Sequence, residues 1–272
     1  MGQNVKGPAP FSFGRNWAKY VSAHFSEDRV RIAQRHLTSF LELPSLEGKS
    51  FVDVGCGSGL SSLAAFDAGA RHLVSFDSDP ASVETTRLLR RLRGDPANWI
   101  VVQGSVLDCE FLRTIEPAEI VYAWGVLHHT GSMWRAIENA ATLLKDSDAL
   151  FYIALYGTTP KSDYWTEIKK RYNAASPARK RVMELRYVVR HVLLPELVRG
   201  RNPVAFLRKY RELRGMEMMT DVRDWLGGYP YEHARVAEVI SFCRKNLDLM
   251  LINLNSDPGF AEYLFTGAAL RR

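Results

Sequence analysis

The stretch FVDVGCGSGLSS, residues 51–62, decides the fold of this chain. An apolar run typical of a strand leads into Gly55, Gly57 and Gly59, and a helical pattern begins directly after them. Glycine adopts positive φ at little cost and lets backbone N–H groups approach a ligand closely. The helix that follows presents its positive N-terminus to the same place. The stretch therefore predicts a strand–loop–helix unit whose loop binds a ligand.

The spacing around this loop narrows the kind of ligand. A nicotinamide-binding fingerprint would need a third glycine three residues after the second. Leu60 occupies that position, which weakens the dinucleotide interpretation. Asp77 ends the next predicted strand, 18 residues after Gly59, where a carboxylate can accept hydrogen bonds from both hydroxyls of a ribose. The alternative is that Asp77 only caps the helix that begins near Pro80.

Strand and helix patterns alternate outward from the glycine loop. Strands are predicted at residues 50–54, 72–76, 99–103, 120–124 and 149–155, and helices at 16–24, 28–41, 58–67, 80–93 and 132–144. Residues 232–245 predict a further helix, and residues 247–254 and 261–265 predict two closing strands. Strands that alternate with helices of this length imply an α/β fold with a parallel sheet and right-handed crossovers.

The same patterns divide the chain into four parts. Residues 1–44 form N-terminal helices, and residues 45–156 form the core that carries the glycine loop. Residues 157–231 are helical in composition but are broken by prolines and a glycine, which predicts a helical cap inserted after the fifth strand. Residues 232–272 complete the core.

Composition excludes several classes of protein. The chain has 272 residues, of which 46% are hydrophobic and 24% charged, as in ordinary globular proteins. No apolar run approaches the roughly 20 residues of a membrane span, and residues 1–20 lack the apolar core of a secretory signal. Cys56, Cys109 and Cys243 are scattered and odd in number, which argues against a disulfide framework or a zinc site. We therefore expect a cytoplasmic protein without a transmembrane segment or a metal site.

The net charge of +6 is unevenly distributed. Residues 161–215 hold 15 Lys/Arg and 5 Asp/Glu, a local charge of +10, so the rest of the chain is acidic. Within this segment the apolar stretch 182–201 is punctuated by arginines. The stretch could pack against its own protein or lie on a membrane surface. The local charge could also attract an anionic acceptor.

Four segments carry a resemblance to a known family: DVGCGSG at 53–59, SFDSDP at 75–80, VVQGSVLD at 101–108 and IVYAWGVLHHTG at 120–131. On these motifs the chain resembles class I S-adenosylmethionine-dependent methyltransferases, particularly the small-molecule branch with quinone, sugar and natural-product enzymes. The resemblance covers roughly residues 45–156 and 232–266. It implies a Rossmann-like doubly wound sheet, mostly parallel with an antiparallel last strand, and S-adenosyl-L-methionine as the cofactor. It also implies that the N-terminal helices form a lid.

The resemblance also assigns the cofactor-binding residues. They are Asp53, Gly55, Gly57, Gly59, Asp77, Ser105, Val106 and Trp124. Asp53 is expected to support the backbone of the glycine loop rather than to touch the cofactor. Many family members carry an acid where this chain has Ser105, so the adenine contact could fall to Ser105, to the backbone of Val106 or to Asp108.

A histidine pair follows the fourth predicted strand. His128 and His129 stand at the carboxyl end of a parallel strand, where folds of this type bind ligands. If the acceptor is a hydroxyl, a base must take its proton near the transition state. We expect one histidine to face the acceptor as base or anchor, with His128 as first choice, and its neighbour to fix the loop. The alternative is that both are structural.

Two aromatic clusters are candidates for the acceptor site. Trp17 and Tyr20 share one face of the N-terminal helical pattern. Trp225, Tyr229 and Tyr231 surround a glycine pair, and glycine-rich aromatic loops make mobile walls for substrates. The alternative for each cluster is packing against the core.

We therefore predict a methyltransferase that O-methylates a small molecule such as a sugar or a glycan precursor. An anionic or lipid-linked acceptor is one version, with the enzyme peripheral to the membrane. Alternatives are a quinone or polyketide methyltransferase, an RNA-modifying enzyme and a non-catalytic cofactor-binding domain. The basic segment supports nucleic acid, but it mixes arginine with leucine and valine, which favours lipid or packing.

Overall fold

The computed structural model describes residues 25–202 and 218–267. The strands are β1 (Ser50–Val54), β2 (His72–Asp77), β3 (Trp99–Gln103), β4 (Ile120–Trp124), β5 (Leu150–Tyr156), β6 (Leu249–Asp257) and β7 (Phe260–Gly267). The described α-helices are α1 (Glu27–Leu41), α2 (Leu60–Asp67), α3 (Pro80–Arg91), α4 (Cys109–Leu112), α5 (Met133–Ala141), α6 (Ser162–Asn173), α7 (Pro177–Tyr187), α8 (Leu194–Val198), α9 (Met218–Gly227) and α10 (Val236–Asn246). A 3-10 turn spans Leu127–His129, and a π-helical turn, Val188–Leu193, joins α7 to α8.

The strands form one sheet in the order β3-β2-β1-β4-β5-β7-β6. Strands β1 to β5 pair in parallel, whereas β7 runs antiparallel to both of its neighbours, β5 and β6. The predicted Rossmann-like fold with an antiparallel last strand is confirmed. The strand order reverses between β1 and β4, so the loops that follow these two strands lie side by side at the carboxyl edge of the sheet. In open α/β sheets this reversal point is where ligands bind.

The sheet is buried on both faces, as expected when helices cover a parallel sheet. Every residue of β1 is buried. On the face covered by α1, Phe40 stacks on Tyr152 with ring centroids 4.4 Å apart, and Tyr122 meets Tyr152 edge-on at 4.9 Å. On the opposite face, Phe151 and Ile153 pack with the residues of α5 and α10. Because β-strand side chains alternate between faces, β5 contributes to both layers of the core.

A buried carboxylate ties the central strands to β7. Glu262 is 4% exposed and accepts hydrogen bonds from the Tyr152 hydroxyl at 2.6 Å, Trp124 Nε1 at 2.7 Å and Asn255 Nδ2 at 3.0 Å. Burial alone would raise the pKa of Glu262, but these donors and His36 outweigh it and lower the pKa to about 2. The cluster therefore holds an ionised group inside the protein and fixes the indole of Trp124 at the end of β4.

Helices α6 to α9 have a small hydrophobic cluster of their own, which includes Tyr172, Val188, Val222 and Leu226. The predicted helical character of this part is confirmed, while its treatment as a separate insertion stays a prediction. Val188 points into the cluster, but Val198 is 86% exposed. The apolar stretch 182–201 thus packs on one side only. No helix among residues 25–202 and 218–267 is long and apolar enough to span a membrane.

The predicted start of the helix at 232–245 is wrong, and the difference affects the candidate site. The helix expected at 232–245 begins only at Val236. Residues before it are extended because they pair with the core: Glu232 N–H donates to the His128 carbonyl at 2.9 Å, and Ala234 N–H donates to the Tyr156 carbonyl at 3.1 Å. These bonds hold the end of the cap against the loops that follow β4 and β5.

Candidate active site

Two glycines of the loop adopt positive φ and lie where a larger side chain would clash. Gly55 has φ +70°, and a Cβ atom there would lie 2.2 Å from Cγ2 of Val126. Gly59 has φ +76°, and a Cβ atom there would lie 2.8 Å from the Cα atom of Thr86. Both contacts are closer than real Cβ atoms allow, so the loop packs tightly against the exit of β4 and against α3. Glycine is therefore required at both positions to keep the path of this loop.

The carboxylate of Asp77 is anchored to this loop. It accepts the Gly57 N–H at 3.0 Å and the Asp79 N–H at 2.8 Å. Burial raises the pKa of Asp77, and the two backbone donors partly oppose that effect. Because a carboxylate has about four acceptor positions, these bonds leave capacity for ribose hydroxyls. Asp79, and not Asp77, caps α3, since its side chain accepts the Ala81 N–H at 2.9 Å.

Asp53 points into the protein. It is 2% exposed and accepts the hydroxyl of Ser62, which also bonds Ser75 at 2.8 Å. Burial raises the pKa of Asp53 to about 7. These contacts join β1 to α2 beneath the glycine loop, in keeping with a supporting role rather than direct contact with the cofactor.

The loop after β3 carries the three adenine candidates. Asp108 is exposed and caps α4 by accepting the Glu110 N–H at 3.1 Å. Val106 is 6% exposed, and its carbonyl accepts Asn139 Nδ2 at 2.8 Å. Ser105 is partly exposed, and its hydroxyl accepts the Leu107 N–H at 3.2 Å. The adenine contact therefore stays a prediction, open among Ser105, the backbone of Val106 and Asp108.

Trp124 ends β4 with a half-exposed indole. Its side chain is 44% exposed, its Nε1 donates to Glu262 of β7, and its ring centroid lies 5.2 Å from that of Phe260, also on β7. In the sheet β7 lies on the side of β4 away from β1, so the contacts of Trp124 do not involve the glycine loop, and its cofactor role stays a prediction. The groups at the ends of β1 and β2 fit S-adenosyl-L-methionine: a glycine loop and an anchored carboxylate at a topological switch point.

His129 lies in the 3-10 turn after β4 and is partly exposed. Its Nδ1 lies 2.6 Å from the carbonyl oxygen of Pro230. A carbonyl only accepts, so Nδ1 carries the proton and the neutral ring keeps Nε2 as an acceptor. Burial lowers the pKa of His129 to about 4, although the Pro230 bond opposes this. His129 is therefore neutral at pH 7 and equipped to take a proton at Nε2.

His128 is more deeply buried than its neighbour. It is 1% exposed, and among the described residues neither ring nitrogen has a hydrogen-bond partner. Its ring centroid lies 4.4 Å from that of His129 and 4.1 Å from that of Tyr156. Burial lowers the pKa of His128 well below its usual value. Two unsatisfied nitrogens inside a protein are costly, so this residue needs an explanation.

Tyr156, at the end of β5, is the centre of the aromatic cluster and was missed by the sequence reasoning. Its ring centroid lies 5.4 Å from that of His129, 5.0 Å from that of Tyr231 and 6.0 Å from that of Trp225. The structure thus brings the histidine pair together with two of the three predicted aromatics. Tyr229 precedes Pro230, whose carbonyl bonds His129. The predicted contacts of Trp17 and Tyr20 lie outside the described residues.

Lys169, on α6, was also missed. It is fully buried, its Nζ donates to the carbonyl of Trp225, and the rings of Trp225 and Tyr231 lie 4.1 Å and 4.9 Å from Nζ. Burial lowers the pKa of Lys169 to about 7. A signal was present in the sequence, because Trp165, Lys169 and Tyr172 fall on one helical face. The described residues contain no group of three or more His, Cys, Asp or Glu side chains placed to hold a metal ion.

Comparisons with known proteins agree with this geometry. A family model described as a methyltransferase domain matches residues 25–195. The ribosomal protein L11 methyltransferase of Geobacillus kaustophilus is 32% identical over 152 residues, covering 49% of this chain and 47% of that protein. The matched part spans less than half the length of the curated relatives.

Two solved structures share the fold. Magnesium protoporphyrin IX methyltransferase (ChlM) from Synechocystis PCC 6803 with bound SAH gives a TM-score of 0.54 at 12% identity, covering 93% of both chains. PKMT2 from Rickettsia typhi in complex with AdoHcy gives a TM-score of 0.56 at 15% identity, covering 86% of this chain and 52% of that chain.

The fold and the glycine loop define a class I S-adenosylmethionine-dependent methyltransferase, with S-adenosyl-L-methionine as its cofactor. The chain belongs to the methyltransferase-domain family whose model covers residues 25–195.

Proposed function

We propose that the enzyme O-methylates a small molecule and that His129 is its general base. The observation that carries the proposal is the hydrogen bond from His129 Nδ1 to the Pro230 carbonyl, at 2.6 Å. It fixes the tautomer that leaves Nε2 free of a proton, and burial keeps the ring neutral at pH 7. His129 replaces His128 as the first choice, because His128 is almost fully buried behind Tyr156.

The reaction requires alignment of the acceptor oxygen with the methyl group, and it requires one proton transfer. S-adenosyl-L-methionine supplies an activated methyl group on sulfur. The chain must hold the acceptor oxygen in line with that group, at roughly 3 Å, and must remove the hydroxyl proton near the transition state. His129 Nε2 takes this proton. Tyr156, Tyr231 and Trp225 supply ring faces that orient the acceptor and exclude water from the histidine pair.

The aromatic walls favour a compact ring-shaped acceptor. Flat ring faces stack on an aromatic body and equally pack against the C–H face of a sugar, so the sugar or glycan precursor and the quinone or polyketide ring are both compatible with this lining. Protein and RNA acceptors fit less well, because the histidine pair lies beneath the Trp225–Tyr231 segment. A cytoplasmic location, suggested by the scattered cysteines, stays a prediction.

Transfer of an isotope-labelled methyl group into fractionated cell extract tests the proposal. We expect the label in the small-molecule fraction, released by neither protease nor ribonuclease. Label in the protein fraction would favour an activity like that of the ribosomal protein methyltransferases. Label in RNA would favour a role for the basic segment in nucleic-acid binding. Either result would contradict the small-molecule assignment.

A further inference from the structure

We propose that Lys169 binds the carboxylate of a small ring-shaped acceptor whose opposite end meets His128. This inference rests on the proposed small-molecule function and specifies the chemistry of the acceptor. It assigns roles to two buried polar side chains that the methyl-transfer step itself does not use.

The two side chains belong to one continuous cluster. Lys169 Nζ lies over the ring of Tyr231 at 4.9 Å. The Tyr231 ring centroid lies 5.0 Å from that of Tyr156, which in turn lies 4.1 Å from that of His128. The ammonium is therefore separated from the histidine pair by only two aromatic rings. A ring-sized ligand that enters between these rings would meet Nζ at one end and the histidine pair at the other.

The ammonium has weak compensation for its burial. Its contacts among the described residues are the Trp225 carbonyl and the faces of Trp225 and Tyr231. These supply one hydrogen bond and cation–π attraction, whereas the ammonium has three donors. Asp224 favours the charged form through its longer-range field, yet burial still lowers the pKa of Lys169 to about 7. An anion placed beside Nζ would supply the charge that buried lysines normally require.

His128 is the second, independent observation. Neither of its ring nitrogens has a hydrogen-bond partner among the described residues, and the ring is 1% exposed. A neutral imidazole carries one N–H donor, which an oxygen at the far end of the ligand would satisfy. The carboxylate at the near end would accept from Lys169. One ligand would thus resolve both deficits.

The subsite also explains how an acceptor could be positioned. His129, the proposed base, adjoins His128 in the 3-10 turn. A carboxylate held by Lys169 would fix one end of a ring while a hydroxyl at the other end faces His129. Entry requires the rings of Trp225 and Tyr231 to move aside.

A purely structural role for Lys169 makes a different prediction. Lys169 donates to the carbonyl of Trp225, and Asn173 Nδ2 donates to that of Gly227 at 2.8 Å. Both carbonyls lie at the end of α9, where a cation stabilises the helix. If that is the whole role, removal of the charge lowers stability but leaves the preference among ligands unchanged.

Binding of paired probes in the presence of S-adenosylhomocysteine separates the two roles. The first pair is 3,4-dihydroxybenzoate and catechol, and the second is glucuronate and glucose. Each pair differs mainly by a carboxylate, and the two pairs distinguish an aromatic body from a sugar. Affinities are measured by calorimetry, which needs no turnover. We expect the parent protein to bind the acid of at least one pair at least tenfold more tightly than its neutral partner.

Variants assign that preference to Lys169. Lys169→Met keeps the length of the side chain but removes the charge, and it should abolish the preference. Lys169→Arg should retain it in part. The matched control is Lys170→Met, because Lys170 is its neighbour on α6 but is exposed and paired with Glu167 at 2.8 Å. The control should keep the full preference.

Two results would overturn the subsite. One is a parent protein that prefers the acid in neither pair, a result that needs no variant and includes failure of all four probes to bind. The other is a folded Lys169→Met variant that keeps the preference. The proposed function fails separately. Carboxylate preference without methyl transfer to any small molecule would leave the subsite standing, and methyl transfer to neutral acceptors alone would leave the function standing.

Discussion

Replacement of Asp77 by alanine should weaken cofactor binding without unfolding the protein. The structure fixes the Asp77 carboxylate with N–H groups of Gly57 and Asp79, at 3.0 Å and 2.8 Å, at the carboxyl end of β2. An ionised acceptor held in this way is ready to receive the two hydroxyls of a ribose. The alanine variant removes those bonds and leaves the rest of β2 unchanged.

The expected magnitude follows from the two ribose bonds. Hydrogen bonds to a charged group contribute about 1.5–3 kcal/mol each, so two of them contribute at least about 3 kcal/mol, or roughly a hundredfold in affinity. Burial raises the pKa of Asp77, which means that its removal also relieves a desolvation cost. We therefore expect affinity to fall by about ten- to a hundredfold. Loss of the acceptor for the Gly57 and Asp79 N–H groups should lower the unfolding free energy by about 1–3 kcal/mol.

Calorimetric titration with S-adenosylmethionine measures the change, and thermal unfolding of each variant checks the fold. Asp79→Ala is the matched control, because its carboxylate caps α3 by accepting the Ala81 N–H at 2.9 Å. The control should lose about 1 kcal/mol of stability and keep its cofactor affinity. A folded Asp77→Ala variant that binds the cofactor as tightly as the parent would refute the assignment of Asp77 to the ribose.

Four further predictions concern the loop, the base and the basic segment. Gly57 has φ +53°, so Gly57→Val should give a folded protein that no longer binds the cofactor in the same titration. Normal binding would contradict the loop assignment. His129→Ala should lower kcat by about 10² or more at saturating cofactor while leaving cofactor affinity unchanged; near-native turnover would exclude His129 as the base. Since the pKa of His129 is lowered to about 4, kcat of the parent should stay level from pH 8 to about 5 and fall as the ring protonates near pH 4, whereas an acid limb near 6.5 would indicate an unperturbed histidine. Reversal of Arg179, Lys180 and Arg181 to glutamate should raise the KM for an anionic acceptor and flatten its salt dependence; parent-like kinetics would show that these charges only solvate the surface.

The sequence by itself determined the sheet and the cofactor loop. Strands at 50–54, 99–103 and 120–124 were predicted with the bounds that the structure has. Their residues are mostly apolar, as expected of strands in a parallel sheet covered by helices. The glycine loop and Asp77 could also be predicted, because each depends on a short stretch of sequence. The first is a tight turn after one strand, and the second is a carboxylate at the end of the next strand.

Tertiary structure distinguishes the two histidines, of which we propose His129 as the base. His128 and His129 are adjacent, so the sequence gives no reason to separate their roles, and the first choice fell on His128. The difference comes from Pro230, 101 residues away, whose carbonyl fixes the tautomer of His129. The same contact region overrode helical propensity at 232–235, because Glu232 and Ala234 bond to the core instead.

Tertiary structure alone also revealed the buried aromatic cluster around Tyr156. Lys169 lies in a strongly basic segment, and from the sequence it is indistinguishable from Lys170 beside it. The fold buries Lys169 against Trp225, 56 residues away, and leaves Lys170 partly exposed. Tyr156 ends an apolar strand, and only the folded chain places the rings of Trp225 and Tyr231 around it. These contacts join residues far apart in the chain, so local spacing cannot predict them. Burial lowers the pKa of Lys169 and leaves both ring nitrogens of His128 without a hydrogen-bond partner among the described residues.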